Sequence, residues 1–265
     1  MTYQTISATV SEDGIVALVL NRPEKKNALS ARMIAELTAF AEGAQGRRDW
    51  RAIVLSGAGD VFCAGGDLEW MRAQMAADRA TRMAEARRLA MMLKALNDLP
   101  QPLIGLVHGG AYGGGVGMAA VCDLVIAAEG TRFGLTETRL GLIPATIGPY
   151  VIARMGEGRA RRVFMSARLF DVAVAQDLGL VARSVPPADL AAAGREEAEA
   201  YLATAPGAVA AAKALARALG GGVDQAMIDR SITALADTWE TDEARDGIAA
   251  FFDRRSVPWA TKPRP

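Results

Sequence analysis

The stretch GGAYGGGVGMAAVCD, residues 109–123, places six glycines in nine positions and then continues as an apolar segment. Glycine inside an ordered element costs about 0.5–1 kcal/mol against alanine, so something must be gained from the bare backbone. An apolar strand, PLIGLVHG (102–109), leads into the stretch, and another, DLVIAAEG (123–130), leaves it. The order strand, glycine turn, helix also occurs at IVLSGAGDVFCAGGD (53–67). That recurrence predicts an α/β chain whose coils have similar build and stack on one another.

Three physical readings of the glycines compete. Gly115-Val116-Gly117-Met118-Ala119-Ala120 fits the G-x-G-x-x-A pattern of a dinucleotide loop. Against it, Asp123 ends the helix too early for a full crossover, and Glu129 follows Gly115 by fourteen residues where about 20 are usual. Close helix–strand packing accounts for some of the glycines but not for three in a row at a helix start. The third reading is an anion site. N–H groups at a helix N-terminus have no intrahelical partner, and glycine lets a substrate approach them without meeting a Cβ. With a second amide from the other glycine turn, FCAGGDL (62–68), they form an oxyanion hole. The demand this makes is specific: a carbonyl oxygen that becomes negative during reaction.

The remaining sequence sets the frame. YQTISATV and GIVALVL read as strands joined by SEDG, NRPEKKNALS as a loop ending in a Ser30 helix cap, and residues 31–44 as a helix. A single helix is expected over about 69–99, and TRFGLTETRLGLIPA (131–145) reads as loop with short extended pieces. The chain turns helical after Ile147, and residues 204–265 form a helical region appended to a core of residues 1–203. With 265 residues, 51% of them hydrophobic, the chain can bury a large core without disulfides or metals. Lys plus Arg, at 30, equals Asp plus Glu, at 30, so no global field favours nucleic acid or an anionic membrane. The uncharged run from Gln101 to Cys122, His108 apart, has membrane-spanning length, but its seven glycines argue for a turn-rich core. Cys63 and Cys122 form no CxxC, and the opening MTYQTISATV has no leader character, so a reduced, cytoplasmic setting is expected.

NRPEKKNAL, FCAGGDL, GGAYGGGVG and FGLTETRLGLIP occur in the order and spacing of the crotonase (enoyl-CoA hydratase/isomerase) superfamily, and the chain resembles it over nearly its whole length. The resemblance implies a spiral of repeated ββα units with a C-terminal helical trimerisation region. It implies a homotrimer or dimer of trimers, and an acyl-CoA thioester as substrate with no cofactor beyond that CoA. Carried over by motif, Gly66 and Gly114 supply the oxyanion amides. CoA lies along Ala64, Asp67 and Leu68, with Lys25 and Ala28 near its nucleotide end, and Tyr112 beside the hole is a candidate acyl-pocket residue.

Hydratases of this superfamily use two glutamates. One matches Glu137, whose competing reading is a surface carboxylate paired with Arg139. The other position is Gly117, a departure that leaves hydration and double-bond isomerisation both open, along with a non-catalytic acyl-CoA- or RNA-binding homologue. RLGLIPATIGPYVI, with Gly117, looks like hydratases of methylglutaconyl-CoA-type substrates, whose distal carboxylate would call for a pocket cation, Arg139 or Arg154. His108, the single histidine, reads as a structural hydrogen-bonding group, and Cys63 has no histidine nearby in sequence to activate it. Asp67 doubles as a helix cap. No cluster has metal-ligand spacing. Trp239, Phe251 and Phe252 are candidate anchors of the tail.

Overall fold

A computed structural model describes residues 3–261. β1 (Ile6–Val10) and β2 (Ile15–Leu20) form an antiparallel hairpin across the SEDG turn. The NRPEKKNAL loop follows and is pinned by Asn27, which is fully buried at φ 54°. Asn27 Nδ2 donates to Ala58 O and Val61 O, each at 2.8 Å, while its Oδ1 accepts from Arg22 N at 2.9 Å. A compact amide tolerates this left-handed backbone better than a branched residue. Ser30 then caps α1 (Ala31–Ala44), its hydroxyl accepting from Met33 N at 3.3 Å, a contact type worth about 1 kcal/mol.

β3 (Ala52–Gly57) runs parallel to β2 and leads through the second glycine loop into α2 (Leu68–Ala76) and α3 (Arg79–Asn97). The single helix expected over 69–99 is therefore two. Ala77 is extended at ψ 155°, and Asp78 accepts from Thr81 N at 2.8 Å. A short acidic side chain that captures a backbone N–H starts a new helix here, which hydrophobic periodicity alone does not reveal.

β4 (Leu103–Val107), β5 (Gly110–Tyr112), α4 (Gly114–Ala120), β6 (Leu124–Ala128) and β7 (Arg132–Gly134) follow, then a 3-10 turn at Glu137–Leu140. The second half holds α5 (Gly148–Met155), α6 (Glu157–Phe164), β8 (Leu169–Asp171), α7 (Val172–Asp177), β9 (Arg183–Val185), α8 (Leu190–Glu199), α9 (Pro206–Leu219), α10 (Gln225–Trp239) and α11 (Asp242–Phe252). The sequence reading missed β8 and β9. Each has three residues, too few for alternation to register.

The larger sheet has the order β1-β2-β3-β4-β6-β9, with every pair after the hairpin parallel, and the smaller has the order β5-β7-β8. Parallel bridges Leu29↔Gly66 and Cys63↔Ala111 continue the smaller sheet's stacking toward the N-terminus. Each coil thus contributes one long strand, one short pairing and a helical segment, the repeated ββα spiral. β4 is buried at every position, as a parallel strand covered on both faces must be. One face meets the main core, and on the other Ile104, Leu106 and Ile126 pack with Leu190 and Ala193 of α8.

The C-terminal helices divide in their packing. α10 seats fully buried Ile228 and Ile232 against Ala86 and Ala90 of α3, burial of a kind that contributes about 1.5–3 kcal/mol per side chain. Arg79 adds ion pairs to Asp237 at 2.6 Å and Glu240 at 2.9 Å. α9 buries no residue, and its Leu215 and Leu219 are exposed. Among the described residues, no helix is long and apolar enough to cross a membrane.

Candidate active site

Three loops converge on one cavity. In the first, Leu29 N donates to Gly65 O at 2.8 Å and Asp67 N to Leu29 O at 3.1 Å. This parallel bridge leaves the N–H of the intervening Gly66 without a backbone acceptor among the described residues. Asp67, buried, accepts from Glu69 N at 2.9 Å and Trp70 N at 3.4 Å and pairs with Arg22 at 2.9 Å. Burial pushes its carboxyl up, but the Arg22 guanidinium and the two amides outweigh that and hold it below the usual range.

The second loop turns at Gly113, at φ 47° and ψ −111°, a backbone region that an L side chain does not readily enter. Gly113 N donates to Gly134 O at 2.9 Å, and α4 begins at Gly114, whose N–H has no backbone acceptor among the described residues. The two glycine turns touch: a Cβ on Gly65 would lie 3.8 Å from Gly114 N. The site therefore brings together two amides left unpaired for different reasons, one by a strand bridge and one by a helix start.

The third loop is the 3-10 turn that opens at Glu137. Its Oε2 is buried and has no hydrogen-bond partner, and its Oε1 lies 3.0 Å from where a Cβ on Gly113 would stand. Burial raises this carboxyl to about 7, against a small opposing pull from its own backbone amide. Among the described residues, no other titratable side chain lines the cavity. The competing reading, a surface glutamate paired with Arg139, does not fit, because Glu137 Oε2 is buried while Arg139 is exposed.

Gly66, Gly114 and Glu137 line one cavity of about 130 Å³, walled by Leu29, Leu142, Ile147, Leu235 and Trp239. Two hydrogen-bond donors facing a carboxyl in an apolar chamber can stabilise a developing oxyanion while a proton moves to or from a neighbouring carbon. The chamber closes off the position expected for a second glutamate. A Cβ on Gly117 would lie 2.5 Å from Ile147 Cγ2 and 2.9 Å from Ile147 Cβ.

The other sequence-predicted residues sit around this chamber rather than in it. Ala64 N donates to Lys26 O at 3.0 Å, and the Ala28 carbonyl accepts from Arg22 at 2.9 Å. The first contact joins the FCAGGDL loop to the NRPEKKNAL loop, and the second braces the NRPEKKNAL loop itself. Lys25, half-exposed, pairs with Glu69 at 3.1 Å, and Leu68 is exposed. Tyr112 does not line the chamber. Its ring lies over Gly110, where a Cβ would come within 2.6 Å of Cε2. Arg139 and Arg154 do not line it either. Arg154 faces Ala120 O at 3.4 Å and Asp123 O at 3.3 Å, so the expected cation for a distal carboxylate is not in this chamber.

His108 takes the structural role expected of it, Nε2 lying 2.8 Å from Gly59 O. Cys63 and Cys122 are buried, and burial pushes both thiols up to about 12. The sequence reading did not place Ile147, Leu235 or Trp239 at the site. From the sequence Trp239 reads only as a candidate anchor of the tail, because helical spacing does not say which core a distant helix will cover.

A family model described as enoyl-CoA hydratase/isomerase matches residues 10–262. An enoyl-CoA hydratase of Shewanella pealeana is 35% identical, with a TM-score of 0.79 over 97% of this chain and 96% of its own. AtuE of Pseudomonas aeruginosa is 38% identical, with a TM-score of 0.78 over 97% of this chain and all of its own, 100%. An enoyl-CoA hydratase of Mycobacterium avium, 27% identical, reaches a TM-score of 0.87 over 98% of this chain and 100% of its own. With this match over most of the chain and the spiral shared with these structures, the chain belongs to the enoyl-CoA hydratase/isomerase (crotonase) family.

Proposed function

We propose that the protein is an enoyl-CoA hydratase in which Glu137 is the sole carboxylate acting on substrate. The carrying observation is the buried Glu137 carboxyl, its Oε2 without a hydrogen-bond partner and its titration raised to about 7, beside two unpaired amides. The thioester oxygen sits on the N–H groups of Gly66 and Gly114. Water adds its oxygen to Cβ and gives a proton to Glu137. The electron pair of the double bond moves into the enolate, whose charge the two amides stabilise. Protonated Glu137 then delivers the proton to Cα on the same face. In other enzymes, loss of one such donor costs about 2.7–4 kcal/mol of barrier. The hydratase names of the Shewanella and Mycobacterium relatives support this direction of chemistry.

One observation favours a second reading. Ile147 fills the place next to Gly117, so water has no second carboxylate to hold it. A lone carboxyl is sufficient to take a proton from Cα of a β,γ-enoyl-CoA and return it at Cγ, which is isomerisation. CoA is expected along the rim of Lys25, Ala28, Ala64, Asp67 and Leu68. Exposed Leu215 and Leu219 on α9 are consistent with a homotrimer or dimer of trimers, which light scattering on the eluting protein measures directly. Mass spectrometry of crotonyl-CoA, 3-methylglutaconyl-CoA and a β,γ-enoyl-CoA, with parent and Glu137→Gln, separates the readings. A gain of one water that the variant loses supports hydration. A moved double bond at constant mass supports isomerisation, and no turnover on any substrate overturns both.

A further inference from the structure

The 3-10 turn that carries Glu137 is pressed against α11 by direct backbone contact, with a glycine on each side. On the turn's side is Gly141, at φ 69°, where a Cβ would stand 2.6 Å from Ala244 N and 2.5 Å from Glu243 O. On the helix side is Gly247, buried, where a Cβ would stand 2.6 Å from both the carbonyl carbon and the oxygen of Leu140. The nearest obstacles on both sides are main chain, which cannot swing aside; at Gly247 the Trp259 ring follows at 2.9 Å. Around the contact, Leu142, Ala244 and Ile248 form a small apolar cluster with Leu140, Trp239 and Phe252.

We propose that Gly247 is a positioning residue for the reaction: by letting α11 lie on the Leu140 carbonyl, it holds the Glu137 turn closed over the cavity. The inference rests on the reading of Glu137 as the acid–base group. Leu140 ends the turn that Glu137 begins, and both residues line the cavity. Any displacement forced at Leu140 is therefore passed through three peptide units to the carboxyl. α11 is itself carried by α10, whose Trp239 forms part of the same wall. The charged groups on α11 do not replace this steric effect. Arg245 pairs with Asp242 at 2.8 Å and Asp246 at 3.3 Å, and Glu243 is exposed.

The test uses the full chain with Gly247→Ala, compared with Gly158→Ala in α6, where a Cβ meets nothing within 4 Å. Alanine favours a helix interior over glycine by about 1 kcal/mol, so the substitution does not disfavour α11 itself. Two readouts are taken: steady-state kinetics on crotonyl-CoA, and a carbon-13 titration of the glutamate carboxyls, with the Glu137 signal assigned by its loss in Glu137→Gln. The expected result for Gly247→Ala is a fall in kcat of at least tenfold with KM within twofold, and a Glu137 titration moved down by at least one pH unit as its carboxyl meets water. Gly158→Ala leaves both readouts unchanged. Unaltered kcat, or a fall in kcat with an unmoved titration, overturns the proposal. If Gly247→Ala gives no soluble protein, Gly141→Asn presses on the same contact from the other side, since asparagine accepts left-handed backbone, and is held to the same outcomes. The titration keeps the two claims separate. Turnover retained in Glu137→Gln removes the acid–base reading, while a shifted Glu137 signal in Gly247→Ala still reports the steric coupling.

Discussion

Ile147 occupies the volume into which a side chain at Gly117 would grow, its Cγ2 lying 2.5 Å from where the Cβ would stand. The two positions come from different coils, Gly117 in α4 and Ile147 at the start of α5. They form one packing decision, in which the apolar wall excludes a carboxylate.

That coupling is measurable. Gly117→Glu alone overpacks the core and buries a charge, and is expected to destabilise by about 2–4 kcal/mol. Adding Ile147→Ala opens the space, and a double-mutant cycle in denaturant is expected to return a favourable coupling of about 1–2 kcal/mol. Additive losses would mean that the two side chains do not compete.

Glu137→Gln is expected to lower kcat by about 10²–10⁴-fold, the range for a positioned acid or base, with little change in KM. Turnover of the parent against pH is expected to bend near 7, where the buried carboxyl divides between its two forms. A profile without that inflection would place the acid elsewhere.

The same carboxyl makes stability depend on pH. Its folded value, about 7, lies above the ordinary 4.5, so between those values the folded state holds a proton that the unfolded chain has released. The contribution is complete below about 4.5 and is lost as pH rises through about 7, a difference of up to about 3 kcal/mol. Glu137→Gln is therefore expected to gain on the parent at pH 8 and to match it at pH 4, as read from urea midpoints.

Asp67 holds both the start of α2 and the strand end that carries Gly66. Asp67→Ala removes the cap and leaves half-buried Arg22 with the Ala28 carbonyl but no carboxylate, with an expected loss of about 2–4 kcal/mol. Asp67→Asn keeps an acceptor for Glu69 N and is expected to lose less. Thermal melts of the two variants distinguish cap from ion pair.

Gly113→Ala meets two obstacles, a φ of 47° and the Glu137 Oε1 at 3.0 Å. Its kcat is expected to fall at least tenfold even where the melt shows a folded protein. Native protein treated with iodoacetamide is expected to stay unlabelled, since both thiols are buried and pushed up to about 12.

Much of this was legible in the sequence. The hairpin, α1 with its Ser30 cap, and the strand–glycine–helix coils follow from local rules: turn residues, a hydroxyl before an apolar stripe, glycine where backbone must be approached. The resemblance of FCAGGDL, GGAYGGGVG and FGLTETRLGLIP to the crotonase family nominates Gly66, Gly114 and Glu137 as candidates without any geometry. Local rules also carried the reading only so far. The break at Asp78 depends on which backbone N–H a carboxylate captures, and β8 and β9 are strands because of the neighbours they pair with.

The tertiary structure alone decided what surrounds the glutamate. Burial of the carboxyl, Ile147 beside Gly117, Trp239 in the wall and α11 against Leu140 are contacts between segments far apart in sequence. Periodicity gives each helix an apolar face but not the partner for that face. The sequence by itself determined which residues are candidates for the chemistry, because the motifs that nominate them are local. The raised pKa of Glu137, the shape of the chamber and the packing of Ile147 against Gly117 arise from tertiary contacts, which only the folded chain creates.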